Sequence, residues 1–148
     1  MFNSICDIFI FLINLKNVKA EQYENIDIVT VANHYIDEYF DCSYHLKNYE
    51  YIYDLDNNSY YLIHVDPIGY MIIDKDTFNL QEASVSMNSP YSEYDSSDLK
   101  IYLGPMNYYI YDNLQLINVH TKHEITIDRE LNTTLSLLEN NFTTINEM

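Results

Sequence analysis

Residues 49–74 read YEYIYDLDNNSYYLIHVDPIGYMIID, and this stretch decides the fold. Turn-forming residues separate three short runs that are rich in aromatic and β-branched side chains: Tyr49–Leu55, Tyr60–Val65 and Tyr70–Asp74. Asp56–Ser59 is suited to close the first hairpin, and in Asp66–Gly69 proline fixes one φ while glycine accepts a positive φ. The pattern predicts an antiparallel meander, with a fourth strand over Phe78–Val85.

Segments with helical periodicity flank the strands. Residues 25–41 (NIDIVTVANHYIDEYFD) place apolar residues at three- and four-residue spacing, with Asp27 as a candidate N-cap. A second helix is predicted over Asp128–Phe142, capped by Asp128. Further short strands are predicted between the meander and this helix: Lys100–Leu103, Tyr108–Asp112, Leu114–Val119 and Glu124–Ile127. We therefore expect one α+β domain over residues 21–148, with a twisted antiparallel sheet packed against the N-terminal helix.

The charge balance narrows the classes of partner. The chain has 23 acidic and 7 basic residues, for a formal net charge of −16. Nucleic acids are excluded as partners because phosphate contacts dominate their affinity, and anionic membranes are disfavoured for the same reason. A basic protein or cations would be attracted, although the acidity can also act only to keep the protein soluble.

The first 20 residues, MFNSICDIFIFLINLKNVKA, resemble a secretory signal. An apolar run is followed by Val18-Lys19-Ala20, which offers small residues at the cleavage positions. No basic residue precedes the run, and Asp7 interrupts its start, so a membrane anchor and a buried element stay open as alternatives. A cleaved signal predicts a secreted or surface protein with no membrane attachment, whereas a segment that is not a signal predicts a cytoplasmic protein. Removal of Cys6 would leave Cys42 unable to form an internal disulfide, and we expect Cys42 to be buried.

No complete catalytic, cofactor or metal constellation is found in the sequence. His120 and His123 lie in a predicted turn with no further ligand at zinc spacing. His64 is expected to be half-buried on the strand face that it shares with Tyr60 and Leu62. The Asp54–Asn58 segment offers oxygen ligands for Ca²⁺ but lacks the glycine and glutamate of a calcium loop, so a hairpin turn accounts for it better. We expect a non-enzymatic protein without a cofactor.

The polar stretch Ser86–Asp98 is predicted to be an exposed loop between strands. Its first part contains a proline and two tyrosines, and tyrosine is enriched at interface hot spots. The candidate partner-binding residues are therefore in this loop: Met87, Asn88, Ser89, Pro90, Tyr91 and Tyr94.

About 60 residues carry a resemblance to a known family. The order of a helix over 26–42, Tyr49-Glu50-Tyr51-Ile52-Tyr53, Tyr61-Leu62-Ile63, Ile68–Asp74 and Leu80–Ser84 resembles the propeptide of streptopain-type cysteine proteases and the stand-alone inhibitors similar to it. Ile68 stands where that family has a second glycine. The resemblance implies a domain that assists folding of a papain-like cysteine protease or occupies its cleft, here in trans.

Two functional hypotheses follow. The first is a secreted or surface propeptide-like domain that binds a protein partner, with a cysteine protease as the candidate target and the loop Met87–Tyr94 as the insert. The alternative is an interaction or immunity-type protein whose acidic surface neutralises a basic protein partner. The salt dependence of binding distinguishes the two hypotheses, because charge-driven binding weakens as ionic strength rises.

Overall fold

The computed structural model describes residues 26–146, and all of their side chains except those of residues 129, 132 and 140–146. Two helices flank eight strands in chain order: α1 Ile28–Tyr39, β1 His45–Tyr53, β2 Ser59–Asp66, β3 Tyr70–Asp74, β4 Leu80–Ser84, β5 Leu99–Tyr102, β6 Tyr108–Asp112, β7 Gln115–Asn118, β8 Glu124–Thr126 and α2 Arg129–Asn146. The predicted α+β class, with an N-terminal and a C-terminal helix, is confirmed.

All eight strands form one sheet in the order β4-β3-β2-β1-β5-β6-β7-β8. Two antiparallel meanders, β1–β4 and β5–β8, meet where β1 pairs with β5. That pairing is parallel, with Tyr53 opposite Ile101. The sheet is therefore mixed at its centre and antiparallel elsewhere, and the long connection between β4 and β5 must cross from one edge to the middle.

Helix α1 covers the first meander. Asp27 caps it, accepting a hydrogen bond from the Val29 amide at 3.2 Å, as predicted. Its buried residues pack against the β2 and β3 side chains Ile63, Met71 and Ile73. Burial of this apolar stripe stabilises the helix more than the intrinsic propensity of its twelve residues would.

Helix α2 covers the second meander. Asp128 accepts a hydrogen bond from the Leu131 amide at 2.9 Å, which confirms the predicted cap. Leu135 and Leu138 are buried against β5 to β7 side chains such as Ile101. Tyr51 packs in the α1 cluster and Tyr53 in the α2 cluster. Because these residues are two apart on β1, both helices lie on the same face of the sheet.

The β4–β5 connection, residues 85–98, covers the opposite face. Tyr91 is 1% exposed and its hydroxyl donates to the Ile101 carbonyl at 2.6 Å. Lys100 Nζ donates to the Asp95 carbonyl at 2.6 Å. The expectation of an exposed loop is wrong for its middle, where Ser89 and Tyr91 are buried, because the tyrosine ring supplies the apolar cover that this sheet face needs.

Other local expectations need correction. Cys42, expected to be buried, is exposed: α1 ends at Tyr39, and the chain turns outward before β1 starts. Strand β1 begins at His45, four residues before the predicted start at Tyr49. The signal-like segment 1–20 lies outside the described residues, so the predicted secretion stays a prediction. Within residues 26–146 no helix is long and apolar enough to cross a membrane.

Candidate functional site

The sheet curls around the face that residues 85–98 cover. Glu82 on β4 accepts hydrogen bonds from the hydroxyls of Tyr70 and Tyr108, and from that of Tyr102 at 3.4 Å. Three strands lie between β4 and β5, which carries Tyr102, and four lie between β4 and β6, which carries Tyr108. A flat sheet would keep such strands well beyond the reach of a side chain, since neighbours are about 4.8 Å apart. The edge strand β4 therefore closes over the concave face towards the second meander.

A pocket of about 540 Å³ opens at one end of this trough. It lies between the β1–β2 turn and the β5–β6 turn, with Gln81 of β4 beside it. This end of the trough is the sheet mouth, and a concave cleft with a few polar groups is typical of a binding site. The lining residues are Asp54, Leu55, Asp56, Tyr60, Gln81, Tyr102, Leu103, Gly104 and Pro105.

The first acidic residue of the pocket is held by its own turn. Asp54 Oδ1 accepts hydrogen bonds from the amides of Asp56 and Asn58 at 2.9 and 2.8 Å. Its Oδ2 accepts from Asn58 Nδ2 at 2.8 Å and from the Tyr60 hydroxyl at 3.2 Å. The Asp54–Asn58 segment is thus a hairpin turn organised by Asp54.

Asp56, by contrast, is exposed, and the described residues give its carboxylate no hydrogen-bond or ion-pair partner. Its carboxylate is therefore available to a ligand in the pocket.

The aromatic wall of the pocket is neutral at physiological pH. The rings of Tyr60 and Tyr102 meet edge to face, with centroids 5.4 Å apart. Burial, followed by the charges of Asp54, Asp74 and Asp56 and the hydrogen bond to Asp54, together raise the pKa of the Tyr60 hydroxyl to about 12. Three carboxylates acting on one phenol mark a negative local field at the mouth.

The described lysines do not compensate this field. Each of the four has a partner other than the pocket carboxylates: Lys47 contacts Asp66 at 3.9 Å, Lys75 lies 5.6 Å from the Tyr51 ring centroid, Lys100 binds Glu50 at 2.8 Å and Lys122 contacts the Tyr94 hydroxyl at 2.9 Å. Lys75 belongs to the neighbouring β3–β4 turn, but Tyr51 faces α1 on the other side of the sheet. None of the four described lysines therefore offsets the charge of Asp54 and Asp56.

The residues predicted to bind a partner are divided by the fold. Met87 is 61% exposed and Asn88 is exposed, whereas Ser89 and Tyr91 are buried. Pro90 and Tyr94 are half-buried, and Tyr94 packs against the core cluster of the concave face. The six residues are consecutive or nearly so, yet they do not form one accessible surface.

Histidine and carboxylate clusters offer no metal centre in the part of the chain that the structure describes. His120 and His123 are exposed in the turn before β8. His64 is half-buried, as predicted, and its Nε2 lies 2.9 Å from Glu50 Oε1.

Glu50 also accepts a hydrogen bond from the buried Lys100. Burial raises the pKa of the Glu50 carboxyl, but the hydrogen bonds and charges of His64 and Lys100 outweigh it, and the net pKa lies below its usual value. This triad joins β1, β2 and β5.

The pocket was not predicted from the sequence. Its two walls come from turns about 50 residues apart, which meet only because β1 pairs in parallel with β5. The sequence predicts the first turn as a hairpin at Asp56–Ser59, and Gly104-Pro105 lies between the predicted strands Lys100–Leu103 and Tyr108–Asp112. A single parallel contact between two meanders leaves no periodic signal.

No known protein family, curated protein or solved structure matches this chain.

Proposed function

We propose that this protein is an acidic binding module, without catalytic activity, that engages a basic protein partner through the pocket at the sheet mouth. The observation that carries the proposal is the uncompensated negative pocket: Asp56 is available there, and the described lysines are bound elsewhere. A net charge of −16 would steer a cationic partner towards the protein from a distance.

The pocket supplies what long-range charge alone does not. Charge steering raises the association rate, whereas a defined concave contact gives orientation and slows dissociation. Leu103 and Met106, at and beside the β5–β6 turn, are 39% and 73% exposed. They add an apolar rim next to the carboxylates, so the surface is suited to a basic segment that also carries aliphatic groups.

The proposal is tested by titrating the full chain with a lysine- and arginine-rich peptide at several NaCl concentrations. We expect binding at low salt and a steady rise of Kd as salt increases, because exposed charges are screened over about 8 Å at physiological ionic strength. Absence of binding at the lowest salt, or a Kd indifferent to salt, would contradict the proposal.

A second candidate function, the occupation of a cysteine-protease cleft, is favoured by the exposed apolar side chains at the start of the β4–β5 connection. Val85 is 46% exposed and Met87 61% exposed. Their insertion into a hydrophobic cleft would depend little on salt. Inhibition of a papain-like protease by the wild-type chain, lost in the variant Met87→Asp, is the expected result under this candidate. Full activity of the protease at micromolar concentrations of the chain would reject it.

A further inference from the structure

We infer that the pocket at the sheet mouth accepts a single arginine side chain of the partner, in preference to lysine. This inference rests on the proposed function and adds the chemical group that is recognised. The pocket volume of about 540 Å³ lies within the range of roughly 300–1,000 Å³ typical of ligand sites. This volume is large enough to hold one side chain.

The lining is mixed in a way that suits a guanidinium group. One turn contributes the carboxylates of Asp54 and Asp56, and the other contributes Leu103, Gly104 and Pro105, which present no charge. A guanidinium is more weakly hydrated than an ammonium, so it loses less on entering a partly apolar site. Its planar edge can donate to a carboxylate while its faces contact apolar or aromatic groups.

The acceptor oxygens that the pocket offers suit a ligand with several N–H donors better than a ligand with one. The Asp56 carboxylate is exposed at the pocket. Gln81 adds a side-chain carbonyl oxygen from β4, and its amide nitrogen donates to the Asn79 carbonyl at 3.3 Å. A guanidinium presents five donors in a fixed fork, whereas an ammonium acts as a compact point charge.

Open space at Gly104 contributes to the room for a ligand. A Cβ built at this position meets no heavy atom within 4 Å. At Gly104 the β5–β6 turn therefore presents only backbone, and a planar group can lie close to it there.

The test uses three peptides that differ at one position. Each is a lysine–glycine peptide whose central residue is arginine, lysine or citrulline, and each is titrated into the full chain at low salt. We expect the arginine peptide to bind about threefold to tenfold more tightly than the lysine peptide of equal charge, the gain expected from one additional charge-assisted hydrogen bond in a half-open site. The citrulline peptide, which lacks the charge, is expected to bind most weakly.

Two matched variants locate the effect. Asp56→Asn removes the available carboxylate of the pocket, and we expect it to abolish the difference between arginine and lysine peptides. Asp112→Asn removes the same charge from an exposed residue at the opposite end of the sheet. This control is expected to weaken both peptides equally and to preserve their difference.

The outcomes separate the inference from the function it rests on. Equal, salt-dependent binding of the arginine and lysine peptides would overturn the arginine pocket and leave a charge-driven binding module. Failure of every peptide to bind at low salt would overturn both. Retention of the arginine preference in Asp56→Asn would also overturn this pocket as its source.

Discussion

Glu82 is the residue that ties the edge strand to the second meander. Its carboxylate accepts hydrogen bonds from three tyrosine hydroxyls, those of Tyr70, Tyr102 and Tyr108. We expect Glu82→Gln to lower the free energy of unfolding by about 1–3 kcal/mol, because the amide replaces one acceptor oxygen by a donor that faces phenols. Urea denaturation measures this loss. Tyr102→Phe removes only the 3.4 Å contact and serves as the milder control; an equal cost for both variants would contradict the role of Glu82.

Gly69 is confined by its neighbours as well as by its backbone. A Cβ at this position would lie 2.7 Å from Phe40 Cε1 and 2.7 Å from the Ser84 carbonyl oxygen, and φ is +130°. Gly69→Ala is expected to lower the free energy of unfolding by about 1–3 kcal/mol, because a backbone oxygen cannot yield as a flexible side chain can. Gly104→Ala has a φ of +101° but open space, so it measures backbone strain alone. Equal losses in thermal unfolding would argue against the contact at Gly69.

The Glu50 triad gives a pH dependence with a defined sign. The folded-state pKa of Glu50 lies below its value of 4.5 in the unfolded chain. Its contribution to stability is therefore complete above pH 4.5 and is lost as the pH falls through the folded-state pKa. We expect the gap in unfolding free energy between wild type and Glu50→Gln to narrow on acidification from neutral pH, as followed by denaturant titrations. A gap that widens on acidification would contradict this assignment.

At the scale of elements, the connection between β4 and β5 acts as a packed layer. Tyr91 is buried and anchored to the Ile101 carbonyl. We expect Tyr91→Ala to lower the free energy of unfolding by about 3–5 kcal/mol, as for other buried aromatic residues, and to raise amide hydrogen exchange across residues 85–98. Tyr91→Phe removes only the hydroxyl and is expected to cost about 1 kcal/mol. Unchanged exchange in Tyr91→Ala would show that the connection is not a cover.

Turn-forming residues and the spacing of apolar side chains predict most of the helices and strands. Strands β3 and β6 match their predicted bounds because Gly69, Gly104-Pro105 and the Asp-rich turns mark their ends. The start of β1 was missed because His45–Asn48 carries polar side chains, and its strand pairing comes from β2 rather than from local propensity. The sequence of the β4–β5 connection predicts a polar loop because most of its residues are polar; Ser89 and Tyr91 are buried in it, and Tyr94 packs against the core cluster.

At the scale of the whole molecule, one parallel contact joins the two meanders and creates the site. The pairing of Tyr53 with Ile101 brings the β1–β2 and β5–β6 turns together, and the curl of the sheet adds β4. The negative charge of the chain was evident from composition, but its concentration at the mouth depends on where the lysines go. The meeting of the two turns and the positions of the lysines both depend on long-range topology, which short windows of sequence do not predict.

The most direct test of the central claim is a map of backbone amide NMR shifts as the full chain is titrated with the arginine-centred peptide. We expect the largest shifts in residues 54–60 and 102–106, the two turns that line the pocket, and their reversal on addition of salt. Helix α1 is the internal control, because it lies on the other face of the sheet. Shifts confined to residues 85–94, or spread evenly over the acidic surface, would contradict the pocket as the centre of binding.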